Sequence, residues 1–148
     1  MTSTDNRQSA DQDPLLTLLV HLANQIGLEA GITLFVRGMV ISGDLVGGNT
    51  FKEGFIESIR SGSGPAARPL AAGLQPVLEI AYPDPTDKDP VPGGDEPDHD
   101  EDEARRIVFV HLRSAEIQQS GSTPLPAPWW RGRLAHVDGW TLGRISTT

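Results

Sequence analysis

The chain contains no cysteine, only two lysines and only eight aromatic residues among its 148 positions. The lack of cysteine excludes disulfides, thiolate metal sites and cysteine nucleophiles, and it fits a reducing compartment. The polar opening segment 1–13 has no apolar run typical of a secretory signal. No apolar run approaches the ~18–20 residues that a membrane span needs. We therefore expect no membrane partner, and these features fit a cytoplasmic location.

Charge is distributed very unevenly along the sequence. Residues 83–104 hold ten acidic side chains against Lys88, a net charge of −9, whereas the whole chain carries −8. This segment also contains five prolines, and it cannot bury enough apolar area to offset the entropy cost of ordering its backbone. We predict a disordered acidic loop at 83–104, a disordered tail at 1–12, and a single domain over 13–148 that contains the loop.

Two segments have the pattern of helices. Asp13-Pro14 is typical of an N-cap followed by the first helical residue, and aliphatic residues then recur at helical spacing as far as Gly27. This pattern predicts a helix over 14–26. Thr50-x-x-Glu53 has the form of a capping box and predicts a second, short helix over about 51–60.

Alternation of apolar and polar residues predicts the strands of an antiparallel sheet. Residues 31–48 predict two strands joined at Gly38, and residues 105–117 predict another strand. Two prolines and a glycine within 66–82 argue against a long helix there. Residues 77–82 predict a strand instead.

The dipeptide Asp138-Gly139 is typical of a type I′ turn. The turn would pair Val137 with Trp140 and Ala135 with Leu142, which places Trp140 in the core of a closing hairpin. Together these elements predict an α+β fold. We expect a small antiparallel β-sheet of about five strands or a partly open barrel, an N-terminal helix, a short second helix and the long disordered acidic loop.

All three tryptophans lie within residues 127–145, interspersed with three arginines. Neighbouring residues of a strand point to opposite faces. We therefore expect one of Trp129 and Trp130 in the core and the other at the surface, beside arginine, as in interface anchors. Residues 105–148 carry a net charge of only +4, and the acidic loop would repel phosphate, so we expect no nucleic-acid partner. The candidate interaction residues are Trp129, Trp130, Arg131, Arg133 and Trp140.

The chain lacks the common signatures of catalysis and of metal binding. It contains no phosphate-binding loop, no G-x-S-x-G motif and no H-E-x-x-H helix. Its four histidines are scattered, and a metal or acid–base pair of His111 with His136 has no carboxylate at a matching spacing. The acidic run lacks the residue order of a calcium-binding loop. We expect no catalytic residue, no cofactor and no metal; a small enzyme that uses His111 or His136 is an alternative.

Two parts of the sequence resemble one protein family. The first is LLTLLVHLANQIGLEAGITLFVRGMVISGDLVGGNTFKEGF, in which a leading helix ends in LAN-IG and is followed by GITL-V-G--ISG-L. The second is VHLRSAEI together with the tail WWRGRLAHVDGWTLGRI. They cover residues 15–57 and 108–145, and in this order they resemble the gas vesicle accessory proteins of the GvpU type.

The resemblance implies a non-enzymatic protein that acts in the cytoplasm with gas vesicles, the protein-shelled flotation organelles of prokaryotes. It implies the vesicle shell, other gas vesicle proteins and further copies of the chain as partners, with a role in assembly or clustering. A second resemblance is to Sm-like small barrels, which form rings and bind RNA, and it rests on VRGMVISGDL after a helix. Such a ring needs a basic pore, for which the chain offers only Arg37 and the C-terminal arginines.

Overall fold

The structure, a computed structural model, describes residues 12–62, 64–83 and 109–145. The disorder predicted for the tail and for the acidic loop falls on residues outside these described ranges. The elements are α1 (Pro14–Ile26), β1 (Ala30–Val36), β2 (Met39–Val46), α2 (Gly48–Arg60), α3 (Ala67–Ala81), β3 (Phe109–Gln118), β4 (Leu125–Arg133) and β5 (Gly139–Leu142).

The five strands form one antiparallel sheet in the order β4-β3-β2-β1-β5, and the sheet is not closed into a barrel. Strands β1 and β2, and β3 and β4, pair with their neighbours in sequence, while β5 returns to the free edge of β1. The predicted α+β class, with a leading helix and an antiparallel sheet of about five strands, is confirmed. Within the described ranges there are three helices, one more than predicted.

One face of the sheet carries the aliphatic core, and α1 packs on this face. Leu16, Val20 and Ala23 of α1 are buried in it, at the i, i+4, i+7 spacing that brings side chains to one side of a helix. Burying a leucine or valine side chain such as those of Leu16 and Val20 contributes about 1.5–3 kcal/mol. The strand and turn residues of this core are Ile32, Leu34, Val36, Ile41, Leu45, Val110, Leu112, Ala115 and Leu134.

Helix α1 begins and ends where the sequence predicts. The Asp13 carboxylate accepts hydrogen bonds from the backbone N–H groups of Leu15 (2.8 Å) and Leu16 (3.2 Å). It thereby satisfies two of the four N–H groups that a helix start leaves without a partner. Gly27 ends the helix in the left-handed conformation, with φ of 72°, which glycine adopts without a steric penalty. The predicted helix 14–26 is confirmed.

A β-bulge explains the irregular spacing of core residues on β3. The register between β2 and β3 shifts between Ser42 and Asp44. On β3, Ser114 has a φ of 52°, a left-handed conformation that is uncommon outside glycine. The extra residue keeps Leu112 and Ala115, three positions apart, in the same core.

The turn between β1 and β2 is Arg37-Gly38, as predicted from Gly38. Both residues have positive φ, 51° and 82°, as a type I′ turn requires. The Asp138 carboxylate accepts a hydrogen bond from the Arg37 N–H at 2.8 Å, and the Asp138 N–H donates to the Phe35 carbonyl at 2.8 Å. Asp138 therefore fixes this turn from a distant part of the chain.

The hairpin predicted around Asp138-Gly139 is wrong. Residues 134–136 form a short 3-10 turn, and β5 pairs with β1, which places Trp140 opposite Leu34. Neither of the cross-strand pairs predicted for the hairpin forms. The physical reason is that the bonds of Asp138 to the β1–β2 turn direct the following residues to the free edge of β1.

Helix α2 exists as predicted, but it begins at Gly48 and the capping box at Thr50-x-x-Glu53 is wrong. Gly47 occupies the N-cap position and has no side chain that could form a cap. The Asn24 side-chain oxygen accepts the Gly48 N–H at 2.8 Å instead. A Cβ on Gly47 would lie 2.5 Å from the Ala23 carbonyl oxygen, so the close approach of this turn to α1 requires glycine.

The strand predicted over 77–82 is wrong, because these residues belong to α3 or directly follow it. Pro69 lies in the first turn of α3, where a missing N–H breaks no helical bond. Pro76 does remove one bond inside the helix, yet the helix persists because its apolar side packs against α2. The shielded residues on that side are Ala67, Ala71, Leu74 and Leu78.

Candidate interaction site

An aromatic cluster, comprising Phe51, Phe55, Tyr82, His111 and Trp129, lies on the face of the sheet opposite the aliphatic core. The Phe51 ring is at its centre, with centroids 4.8 Å from His111, 6.0 Å from Tyr82 and 6.2 Å from Trp129. Phe55 stacks on Phe51 at 5.4 Å. Pairs with such tilted and edge-on geometries contribute about 0.5–1.5 kcal/mol each beyond area burial. The cluster joins α2, the residue after α3, β3 and β4.

His111 is the buried polar member of the aromatic cluster, with 4% of its surface exposed. Its Nε2 and the Tyr82 hydroxyl are hydrogen-bonded at 2.8 Å, while its Nδ1 has no partner among the described residues. Burial, with a further contribution from the positive charge of Arg131, lowers the pKa of His111 to about 4. The imidazole is therefore neutral at pH 7.

Arg131 lies at the rim of the aromatic cluster and contacts the rings of Tyr82 and Phe109. Its guanidinium carbon is 3.5 Å from the centroid of the Phe109 ring and 5.7 Å from that of Tyr82, within the range of cation–π attraction. Burial raises the pKa of the Tyr82 phenol, and the charge of Arg131 opposes that rise. Arg131 therefore links Tyr82, which directly precedes the acidic segment, to Phe109, the first described residue after it.

Trp129 packs tightly on α2. Its indole makes an edge-on contact with Phe51, and a Cβ placed on Gly54 would overlap the indole ring. Only glycine at this helical position allows the indole to approach the helix backbone this closely. Trp129 therefore links β4 to α2.

The structure brings together only some of the predicted interaction residues. Trp129 and Arg131 belong to the same rim, while Trp130 points to the other face and packs against the aliphatic core. Trp140 also packs against that core, on β5 at the opposite edge of the sheet, and its Nε1–H donates to Asp13 at 3.1 Å. Arg133 lies at the end of β4 and is exposed.

The side chains of Trp129 and Trp130 lie on opposite faces of β4, as the alternation predicts, and that of Trp130 lies toward the core. The other one, Trp129, is half-buried against α2. Of the five predicted interaction residues, Arg131 and Arg133 are the exposed ones. The exposed part of the predicted site is thus mainly cationic.

No group of three or more metal-binding side chains is present in the part of the chain that the structure describes. His111 is hydrogen-bonded to Tyr82, and the half-buried His136 lies on the 3-10 turn after β4.

A groove of about 210 Å³ between α2 and α3 is lined by apolar and oppositely charged side chains. Its lining residues are Lys52, Glu53, Ile56, Gln75, Leu78 and Glu79.

Sequence reasoning did not find Phe51, Tyr82 or Gly54 as partners of β4. One signal was available: Tyr82 is the only tyrosine of the chain and stands directly before the acidic segment. Its hydrogen bond to His111 spans 29 positions, and no local periodicity encodes such a contact.

A family model described as Gas vesicle protein GvpU-like matches residues 13–145. The chain belongs to the GvpU-like family. The match covers both segments on which the resemblance rested and includes every predicted interaction residue. The family associates the chain with gas vesicles. No curated protein and no solved structure matches it. In the described residues, no helix is both long and apolar enough to cross a membrane.

Proposed function

We propose that this GvpU-like protein is a non-enzymatic accessory protein that acts on gas vesicles in the cytoplasm through self-association, shell binding or both. The family match over residues 13–145 carries the proposal. The expected partners are the shell, other gas vesicle proteins and further copies of the chain. The expected consequence is vesicle assembly or clustering. The interaction residues that we propose are Trp129, Trp130, Arg131, Arg133 and Trp140.

The charge pattern of the β4 edge supports contacts at this site. Arg113 pairs with Glu29 at 2.9 Å and Arg144 pairs with Asp44 at 3.4 Å. Among the described residues, neither Arg131 nor Arg133 forms an ion pair, and both are exposed. Two exposed cations that have no ion-pair partner in the described ranges, near an aromatic cluster, are suited to an acidic partner surface.

The edge position of β4 favours side-chain contacts over strand addition. β4 is one of the two outer strands, and it contains Pro126 and Pro128. Proline lacks the N–H that an added strand would need, and it is a common way of protecting a sheet edge. We therefore propose that partners contact the arginine side chains of β4.

The salt dependence of binding follows from this charge pattern. The segment 83–104 carries −9 and the segment 105–148 carries +4, so copies can attract one another through unlike segments or repel one another through like ones. Such contacts are screened by salt, because the Debye length falls to about 8 Å at physiological ionic strength. We propose that self-association changes between low and physiological salt.

Flotation with intact gas vesicles tests the proposal. The purified full chain is mixed with vesicles across a salt series, and the fraction that rises with the vesicles is measured. We expect co-flotation that weakens as salt increases. Absence of the protein from the vesicle layer at every salt concentration would contradict shell binding. Sedimentation velocity without vesicles tests self-association on its own, and a mass that does not change with salt would contradict the electrostatic part.

A further inference from the structure

Helix α1 has apolar side chains around more than half of its circumference. Its inner side is buried in the aliphatic core. Its outer side carries a second row, the α1 stripe, in which Leu15, Leu18 and Ile26 are 57%, 50% and 73% exposed and Leu22 is half-buried. The positions 15, 18, 22 and 26 follow the spacing of three and four residues that forms the seam between paired helices.

Helix α1 contains no Asp, Glu, Lys or Arg over its thirteen residues. This composition argues against an anionic lipid surface, because interfacial helices use Lys or Arg on the face next to the apolar one. It also argues against nucleic acid, which requires cations. An uncharged aliphatic row fits another uncharged aliphatic row, since neither partner must give up the hydration of a charge.

The α1 stripe is complementary to itself, so its own copy on a second chain is a suitable occupant. A two-fold axis places the same patch of both chains in contact. The negative charge of the chain is concentrated in residues 83–104, which carry −9. Two copies can therefore approach most easily through a face that brings no charged side chains together, and α1 has none. We propose that two copies of this chain form a dimer through the α1 stripe. This inference rests on the self-association in the proposed function and assigns a face to it.

Helix α3 provides a contrast within the same molecule. It also exposes aliphatic side chains, among them Val77 at 59% and Ile80 at 83%. However, its last residue is Ala81, directly before the segment 83–104 that carries −9. Symmetric pairing of two α3 helices would bring two such segments together. The two helices therefore differ in the charge beside their exposed aliphatic residues, and Val77 is a matched control for Leu18.

Sedimentation equilibrium of the full chain tests the inference. We expect the wild-type protein to have twice the monomer mass of 15.9 kDa and Leu18→Glu to weaken the dimer by about 100-fold or more. Leu15→Glu should act in the same direction. Val77→Glu, with the same change of charge at a similarly exposed position, should leave the dimer constant within about threefold. Circular dichroism confirms that each variant is folded.

Two results would overturn the inference: a wild-type protein that is monomeric at tens of micromolar concentration, or a Leu18→Glu variant that remains as dimeric as Val77→Glu. The same variants in the flotation assay separate this inference from the proposed function. A monomeric Leu18→Glu protein that still floats supports two separate surfaces. Wild type that floats as a monomer overturns the dimer but leaves shell binding intact. A wild-type dimer that never floats supports the dimer and contradicts shell binding.

Discussion

The two faces of the sheet are built from different chemistry. The face under α1 is aliphatic, and most of its residues come from the alternation along a strand or the repeat along a helix; Ala115, after the β-bulge, and Leu134, on the 3-10 turn, are the exceptions. The face under α2 is an aromatic cluster around a buried histidine, assembled from four separate parts of the chain. Burial alone stabilises the first face. The second face also depends on the neutral state of the His111 imidazole and on the close contact of the Trp129 indole with the backbone at Gly54.

This difference suggests a division of roles. None of the buried aliphatic side chains is titratable, so the free energy gained from their burial does not depend on pH. The aromatic cluster contacts Arg131, the proposed contact residue, through Tyr82, which directly precedes the acidic segment. A change in the cluster should therefore reach the proposed interaction edge, whereas a change in the aliphatic core should alter stability alone.

The largest effect is expected from Leu34→Ala in the aliphatic core. Leu34 is fully buried, and removal of its side chain leaves a cavity, which typically costs 2–5 kcal/mol, so we expect a loss of about 3 kcal/mol. Urea unfolding measures this loss, which should be the same at pH 7 and pH 5. Leu142→Ala, at an exposed position, is the control and should change stability by less than ~0.5 kcal/mol. A loss for Leu34→Ala that varies strongly with pH would contradict the comparison.

The next effect concerns His111. The pKa of its imidazole is about 4 in the folded protein against 6.5 in a model compound, so the unfolded chain binds more protons between these values. Stability from this residue is complete above pH 6.5 and is lost as pH falls toward 4. Between pH 7.5 and 4.5 the loss should be about 2–3 kcal/mol.

His111→Gln isolates this contribution, because glutamine can hydrogen-bond to Tyr82 but does not titrate. Urea unfolding across the pH series gives the free energy of unfolding of both proteins as a function of pH. The carboxylates contribute equally to the two pH dependences. The wild-type protein should lose more stability than the variant as pH falls. If the free energies of unfolding of the two proteins fall in parallel, the fold does not lower the pKa of His111.

A pair of glycine substitutions sharpens the comparison. An alanine Cβ at Gly54 would overlap the Trp129 indole, whereas Gly73 of α3 has nothing within 4 Å. Gly54→Ala should cost about 1–3 kcal/mol through overpacking. Gly73→Ala should stabilise the protein by up to ~1 kcal/mol, because alanine is the better helix former. Thermal unfolding of both variants measures the difference, and equal shifts of Tm would contradict the packing of Trp129 on α2.

The smallest effect is expected at the β1–β2 turn. Arg37 has a φ of 51°. This left-handed conformation is unfavourable for residues other than glycine, but less so for asparagine than for arginine. Arg37→Asn should therefore stabilise the protein by roughly 0.5 kcal/mol. The midpoint of urea unfolding tests this, and a decrease would show that the Arg37 side chain contributes more than the turn conformation does.

The elements that could be predicted are those whose determining residues lie close to them in sequence. Helix α1 was predictable with its ends, because Asp13 and Gly27 act within a few residues of the helix. The α3 helix was not, because packing against α2 outweighs its two prolines. The β5 strand was assigned to the wrong neighbour because Asp138 bonds to Arg37, 101 positions away.

The proposed interaction site was predictable only in part for the same reason. Alternation along β4 correctly separated Trp129 from Trp130, since period two is a local property. It did not reveal that Trp129 is covered by α2, nor that Trp140 lies at the other edge of the sheet. The cationic pair Arg131 and Arg133 is the part of the predicted site that remains at the surface.

The most direct test compares two charge reversals in the vesicle flotation assay. Arg133→Glu and Arg68→Glu change the net charge equally, and both residues are exposed, but only Arg133 lies on the β4 edge. At low salt, Arg133→Glu should bind vesicles about 3- to 10-fold more weakly than wild type, while Arg68→Glu should bind as wild type does. Equal binding by both variants and wild type would contradict the account that the β4 edge is the contact surface.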